Sequence, residues 1–209
     1  KAYAGLLMAT AVIATSYLYF QSVYPTWEEA IRYGVFQTVS IATTTGYSNA
    51  DFSVWPGFLP VMLILMSFIG GSAGSTAGGM KVIRFVLLFK QGMREITGLL
   101  HPNAIMPVKL SGKSIPEKVM TAVWGFLSVY VFTFAVLLLI IMALGVDQVT
   151  AFSAIAAMMN NLGPGLGEVA ANFAGISDFS KWVLIIAMLF GRLEIFTLLV
   201  LFTPAFWRS

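Results

Sequence analysis

The sequence predicts an all-α integral membrane protein made of two similar units. Each unit is a long apolar span, a short and moderately polar helix, a glycine-bearing loop and a second span. Three observations lead there. Hydrophobic residues make up 58% of the chain and charged ones 10%, with a mean hydropathy of +0.87, whereas soluble domains carry about 25% charged residues. Apolar runs long enough to cross a bilayer core of roughly 30 Å recur along the chain. Between them, stretches rich in Gly, Thr, Ser and Asn break the pattern around Gly46 and around Gly163. Non-helical backbone at membrane depth is tolerated only where protein buries it or a watery cavity meets it, so such breaks point to function. The chain has no Cys, which leaves neither a disulfide framework nor a thiolate metal site. Its net charge of +3 is concentrated in one segment and suggests no nucleic-acid partner. It starts at Lys1 rather than Met and lacks a short cleavable signal pattern, so a preceding segment is expected.

Ala4 to Phe20 forms the first span, followed by the interfacial aromatics Tyr24 and Trp27. Thr26 is placed to cap a helix over Trp27–Ala42 whose first turn carries Glu28 and Glu29. Too short and polar to span, this helix suits a re-entrant position, with its C-terminal end directing partial negative charge at Thr44-Thr45-Gly46-Tyr47. Carbonyls in such a run can replace the hydration shell of K+, and Gly46 permits the dihedrals this requires. Ordinary turn formation is the alternative for the same residues. Gly57 to Ile69 is apolar again. Gly70-Gly71-Ser72-Ala73-Gly74-Ser75-Thr76-Ala77-Gly78-Gly79 must then break the helix, since each Gly weakens it by about 1 kcal/mol relative to Ala. A phosphate-binding loop is excluded, because the Gly-Lys-Ser/Thr ending is missing. A small-residue packing face and a mobile break within the membrane both stay open. The apolar pattern resumes from Met80 to Phe89.

Lys81, Arg84, Lys90, Arg94, Lys109, Lys113 and Lys118 face only Glu95 and Glu117 over 81–118. The positive-inside tendency makes this segment a cytoplasmic loop, with Pro102, Pro107 and Pro116 as an irregular connector. His101, alone among them, receives no role. Glu117–Leu144 is the next span, Asp147 to about Met159 a second short helix, and Asn160-Asn161-Leu162-Gly163-Pro164-Gly165 a second glycine turn. Phe179–Thr203 spans again. The order has repeated, which divides the chain into units 1–95 and 117–209 joined by a connector at 96–116. Phe36 before Gly46 answers Phe152 before Gly163. Glu28, Glu29, Asp51, Asp147, Glu168 and Asp178 lie in the loops on the glycine side against only Arg32 and Lys181, an acidic mouth that would concentrate cations. Arg192 falls roughly mid-membrane, where a charge is expensive and normally faces a partner in the bundle. Arg192 and Glu194 could instead tie neighbouring spans together.

Thr43-Thr44-Thr45-Gly46-Tyr47, the 70–81 glycine run ending in Met80-Lys81, Asn160-Asn161-Leu162-Gly163-Pro164-Gly165 and Phe190-Gly191-Arg192-Leu193-Glu194 resemble the TrkH/TrkG/KtrB superfamily of K+ uptake proteins, most of all its TrkH branch. The resemblance covers essentially the whole chain. It implies a K+-channel-like architecture in which four M1-pore-M2 repeats surround one pore, this chain supplying the third and fourth. The missing repeats, or a second copy, would then be needed to close the pore. It further implies filter positions at Thr44, Thr45, Gly46, Tyr47, Asn161, Leu162, Gly163 and Pro164. K+ would bind at Thr44, Thr45, Gly46, Asn161, Leu162 and Gly163, as substrate and with no cofactor. The gate would comprise Gly70, Gly71, Ser72, Gly74, Gly78 and Gly79, with Arg192 projecting toward them. Homodimerisation, a TrkA-like nucleotide-binding regulatory subunit on the cytoplasmic face and a multi-pass location in the inner membrane also follow from the resemblance. An alternating-access symporter of K+ with H+ or Na+, and a non-transporting assembly subunit, stay open as rivals. An enzyme is not expected, since no Ser/His/Asp set, metal cluster or catalytic carboxylate pair is present.

Overall fold

The computed structural model describes residues 2–72, 74–75, 77–101, 106–110, 112–193, 200 and 206–208. Among the described residues seven α-helices carry the fold. α1 is Ala2–Phe20, α2 is Trp27–Ala42, α3 is Leu59–Ile69 and α4 is Val82–Leu100; α5 is Glu117–Ala143, α6 is Gln148–Met159 and α7 is Asp178–Arg192. Among the described residues, α1 and α5 are long and apolar enough to cross a membrane, while α3 and α6 are shorter apolar helices.

The short helices start where local chemistry dictates. The Thr26 hydroxyl accepts from Glu29 N at the head of α2, with Glu28 and Glu29 in its first turn. The Asp147 carboxylate accepts from both Val149 N and Thr150 N at the head of α6. Each cap satisfies amide groups that no helical carbonyl reaches. α2 lies along α1, and the approach is close because Gly34 faces Thr15: an added Cβ would stand 3.0 Å from the Thr15 hydroxyl. α6 is the centre of the molecule. It packs on α3, α5 and α7, and nine of its twelve residues are buried. Leu18, Leu59, Leu63, Ile64, Ile141, Ile155 and Met159 form the inner core between these helices.

The basic segment 81–118 departs from the expected loop. Residues Val82–Leu100 form a 19-residue helix. Arg84, Lys90 and Arg94 interrupt the apolar run without interrupting the helical period. Val82, Leu87 and Gln91 are buried, while Phe89, Met93 and Ile96 are exposed. A small antiparallel ribbon, Lys109–Leu110 with Lys113–Ser114, precedes α5. The expected continuation of the last span to Thr203, with Glu194, lies outside the described residues, as do Ala73 and Thr76.

Candidate functional site

α2 and α6 end in the same way. Thr43 N, Thr44 N and Thr45 N donate to the carbonyls of Val39, Ile41 and Ser40; Asn160 N, Asn161 N and Leu162 N donate to those of Ala156, Met158 and Ala157. The chain then swings away through a left-handed residue, Thr44 (φ 55) or Asn161 (φ 52), and reaches Gly46 (φ 81) or Gly163 (φ 106). Left-handed Thr and Asn are strained by about 1–2 kcal/mol and persist only where the surroundings hold them. Here they do: Thr44 Oγ1 accepts from Gly78 N at 3.1 Å, and Asn161 Nδ2 donates to Met188 O at 3.3 Å.

Beyond each glycine the strand hangs from polar side chains of its own short helix. Gln37 Nε2 donates to Ser48 Oγ (2.9 Å) and Ala50 O (2.6 Å), and Ser40 Oγ donates to Tyr47 O (2.5 Å). In the second turn Ser153 Oγ accepts from Leu166 N at 2.8 Å, and Thr150 Oγ1 accepts from Glu168 N at 3.2 Å. The two turns meet, for a Cβ on Gly46 would collide with Leu162 O. Among the described residues no hydrogen bond engages the carbonyl oxygens of Thr44, Thr45, Gly46, Leu162 or Gly163. Unpaired carbonyls at the negative ends of two helices are ligands for a desolvated cation.

The glycine run is pinned at its base and packed at its far side. Met80 N donates to Phe68 O at 2.9 Å and Val82 N to Gly71 O at 3.1 Å. Gly70 and Gly79 take left-handed φ values of 65° and 76° where the strands cross, and Gly78 lies against the Asn160 carbonyl. Only Gly74, at the tip, has open space around it. Three cavities lie along these turns and the run, which parts the second from the third. One of about 540 Å³ lies on the Asp51 side of Gly46, Gly163 and Pro164. A second of about 400 Å³ lies between Thr44, Thr45 and Asn161 on one wall and Gly71, Ser72 and Gly78 on the other. The third, of about 300 Å³, lies beyond the run against Lys81, Arg84 and Tyr130. Arg192 borders both the second and the third.

Most of the expected site residues therefore converge. Tyr47 does not: its side chain is 74% exposed and only its carbonyl is held. The acidic mouth is also thinner than its composition suggests. Arg32 pairs with Glu28 at 3.4 Å and Lys181 with Asp178 at 2.9 Å, Asp147 is a helix cap, and Asp51 alone of the six borders the outer cavity. The sequence reading passed over Asn160, which is fully buried and bonded to Tyr130 and Ser67. Its signal was an unexplained amide doublet at the end of an apolar helix.

Unpaired carbonyls, hydroxyls and a polar gap are thus gathered between apolar helices. The TrkH family of cation transport proteins matches residues 7–209, and the chain belongs to that family. It is 54% identical over 206 residues to the Trk system potassium uptake protein TrkH of Halomonas elongata, a match covering 99% of this chain and 42% of that one. It is 41% identical to TrkG of Escherichia coli over 174 residues, 83% of this chain and 36% of that one. The crystal structure of the potassium transporter TrkH from Vibrio parahaemolyticus superposes with a TM-score of 0.93 at 51% identity, covering 99% of this chain and 44% of that one. The chain thus spans less than half the length of these relatives.

Proposed function

We propose that this chain forms half of a K+-selective pore in the cytoplasmic membrane. Residues 44–47 and 161–164 act as two strands of its filter, and the 70–79 run obstructs it from the inner side until that run moves. The observation that carries the proposal is the set of unpaired carbonyls of Thr44, Thr45, Gly46, Leu162 and Gly163, presented at the ends of α2 and α6. Units 1–95 and 117–209 are two of four repeats in this reading. The exposed stripe Ile31, Val35 and Val39 on α2 suits contact with the remaining repeats or a second copy. The bilayer would cover Val12 and Phe20 of α1 and Phe132 and Leu139 of α5. Pairing of two complete pores and docking of a nucleotide-binding regulatory subunit on the basic 81–118 segment complete the assembly.

The test is uptake of radioactive Rb+ into liposomes, with Na+ as competitor. It uses a chimera in which this chain replaces the corresponding 42% of the Halomonas elongata protein. Uptake that resists Na+ in the parent and becomes Na+-sensitive in Gly46→Ser is expected. A folded chimera whose preference survives Gly46→Ser refutes the filter assignment.

A further inference from the structure

Asn160 sits at the last turn of α6, immediately before the left-handed residue that turns the chain toward Gly163. Its side chain is the middle of a buried relay. Tyr130 OH donates to Asn160 Oδ1 at 2.7 Å, Asn160 Nδ2 donates to Ser67 Oγ at 2.7 Å, and Ser67 Oγ donates to Ile64 O at 2.6 Å. Asn160 and Ser67 are fully buried and Tyr130 is 4% exposed. Every link runs donor to acceptor in one direction, so reversing or rotating any member leaves a buried polar atom without a partner. The main chain of Asn160 is held as well, with the Gly78 backbone against its carbonyl. The residue at the corresponding place in the first turn is held differently. Among the described residues Thr43 Oγ1 bonds within its own turn, to Val39 O at 2.7 Å, Ser40 O at 3.4 Å and Thr45 Oγ1 at 2.7 Å.

We propose that Asn160 is a positioning residue for ion selectivity: its bonds to Tyr130 on α5 and Ser67 on α3 fix the angle at which the second glycine turn leaves α6. The proposal rests on reading residues 161–164 as a filter strand. Leu162, two residues beyond Asn160, carries the carbonyl that abuts Gly46. Rotation about the Asn160 backbone therefore moves a carbonyl ligand. Carbonyl placement and rigidity decide how well a filter substitutes for the hydration of one ion over another. α3 ends two residues after Ser67, at Ile69, where the glycine run begins. The same amide thereby ties the filter strand to the helix that leads into the obstructing run.

The experiment measures Rb+ uptake and its inhibition by Na+ in the chimera described above, together with thermal unfolding in detergent. Tyr130→Phe removes a single oxygen atom and strands Asn160 Oδ1. It is expected to lower the preference for Rb+ over Na+ about tenfold, the shift that one unmade buried hydrogen bond produces in a two-conformation equilibrium. Ser67→Ala should act alike. The double variant Tyr130→Phe with Asn160→Leu should be no less selective than Asn160→Leu alone, since both act through one relay. A packing role alone lowers the unfolding temperature and leaves the preference of Tyr130→Phe and Ser67→Ala at the parent value, and that result overturns the proposal. If Asn160→Leu does not fold, the two milder variants decide the matter. A parent chimera with no preference, or one whose preference survives Gly46→Ser, brings down the filter reading and the positioning role with it. Parent selectivity lost in Gly46→Ser but kept in Tyr130→Phe brings down the positioning role alone.

Discussion

Gly78→Ala separates packing from flexibility in the glycine run. Gly78 is not in the left-handed region, so alanine meets no backbone penalty there; its difficulty is steric. A Cβ at this position falls on the Asn160 carbonyl, far inside the 3.0 Å that real Cβ atoms essentially never breach. The obstacle is main chain on a buried helix end, so the run must yield. Restoring an ordinary C···O contact of about 3.3 Å takes a displacement on the order of 1 Å or more. That carries Gly78 N, 3.1 Å from Thr44 Oγ1, beyond hydrogen-bond reach. The lost bond is worth about 0.5–1.5 kcal/mol, and forced overpacking adds about 1–3 kcal/mol. Together they disfavour the seated run by about 2–4 kcal/mol, or about 30- to 1,000-fold in its equilibrium. The assay is resting Rb+ uptake by the chimera in liposomes without any regulatory partner, where uptake should rise until the unseated form predominates. Gly74→Ala is the comparison: its surroundings are open, and only strain of about 1–2 kcal/mol at φ 83° opposes it. Gly78→Ala with parental uptake and parental unfolding temperature would refute the packing of the run against α6.

Three further outcomes are expected. Gly46→Ser places a side chain on Leu162 O at a left-handed φ; Na+ should then compete with Rb+ uptake at lower concentration, measured in the same liposomes. Arg192→Ala removes the cation that borders the cavities on both sides of the run, and resting uptake should rise at normal expression; a fall would mark the arginine as structural. Asp147 caps α6, and its hydrogen bonds from the Thr150 side chain foremost, then from backbone N–H groups, hold its carboxyl below the usual carboxylate range. A lowered folded pKa means that the stabilisation is complete above the ordinary unfolded value near 4 and is lost as pH falls through the depressed one. Unfolding temperature should therefore drop on acidification below about pH 4. Asp147→Asn, which keeps a capping acceptor, should lessen that drop, while Asp147→Ala should lower stability by about 0.5–2 kcal/mol at neutral pH.

What could be read from the sequence was local chemistry. Thr26 with Glu28 and Glu29 located the start of α2 to the residue, because capping needs only neighbours within one turn, while the second helix, expected from Asp147, begins one residue later with Asp147 as its cap. The glycine turns were visible because they interrupt apolar runs. α4 was hidden by its charges: Arg84, Lys90 and Arg94 counted toward a basic loop although their spacing keeps a helical face intact. The aromatic landmarks Phe36 and Phe152 fall one residue out of step when the turns are aligned on Gly46 and Gly163. The backbone bonds at Thr43–Thr45 and Asn160–Leu162 set the register instead. In the 70–79 run Gly70, Gly78 and Gly79 are packed against backbone, and Gly74 is not.

Asn160 shows why the remainder was out of reach. Its partner Ser67 is 93 residues away and Tyr130 is 30 residues away, and nothing in either neighbourhood distinguishes that serine or tyrosine from others on apolar helices. Only the crossing of α3, α5 and α6 makes the three a relay. The same crossing gives the two glycine turns unequal foundations. The first is tied by Thr44 to the glycine run, and the second by Asn160 to Tyr130 on α5 and Ser67 on α3. Both turns nevertheless meet the run at Gly78, whose N–H bonds Thr44 Oγ1 and whose backbone lies against the Asn160 carbonyl.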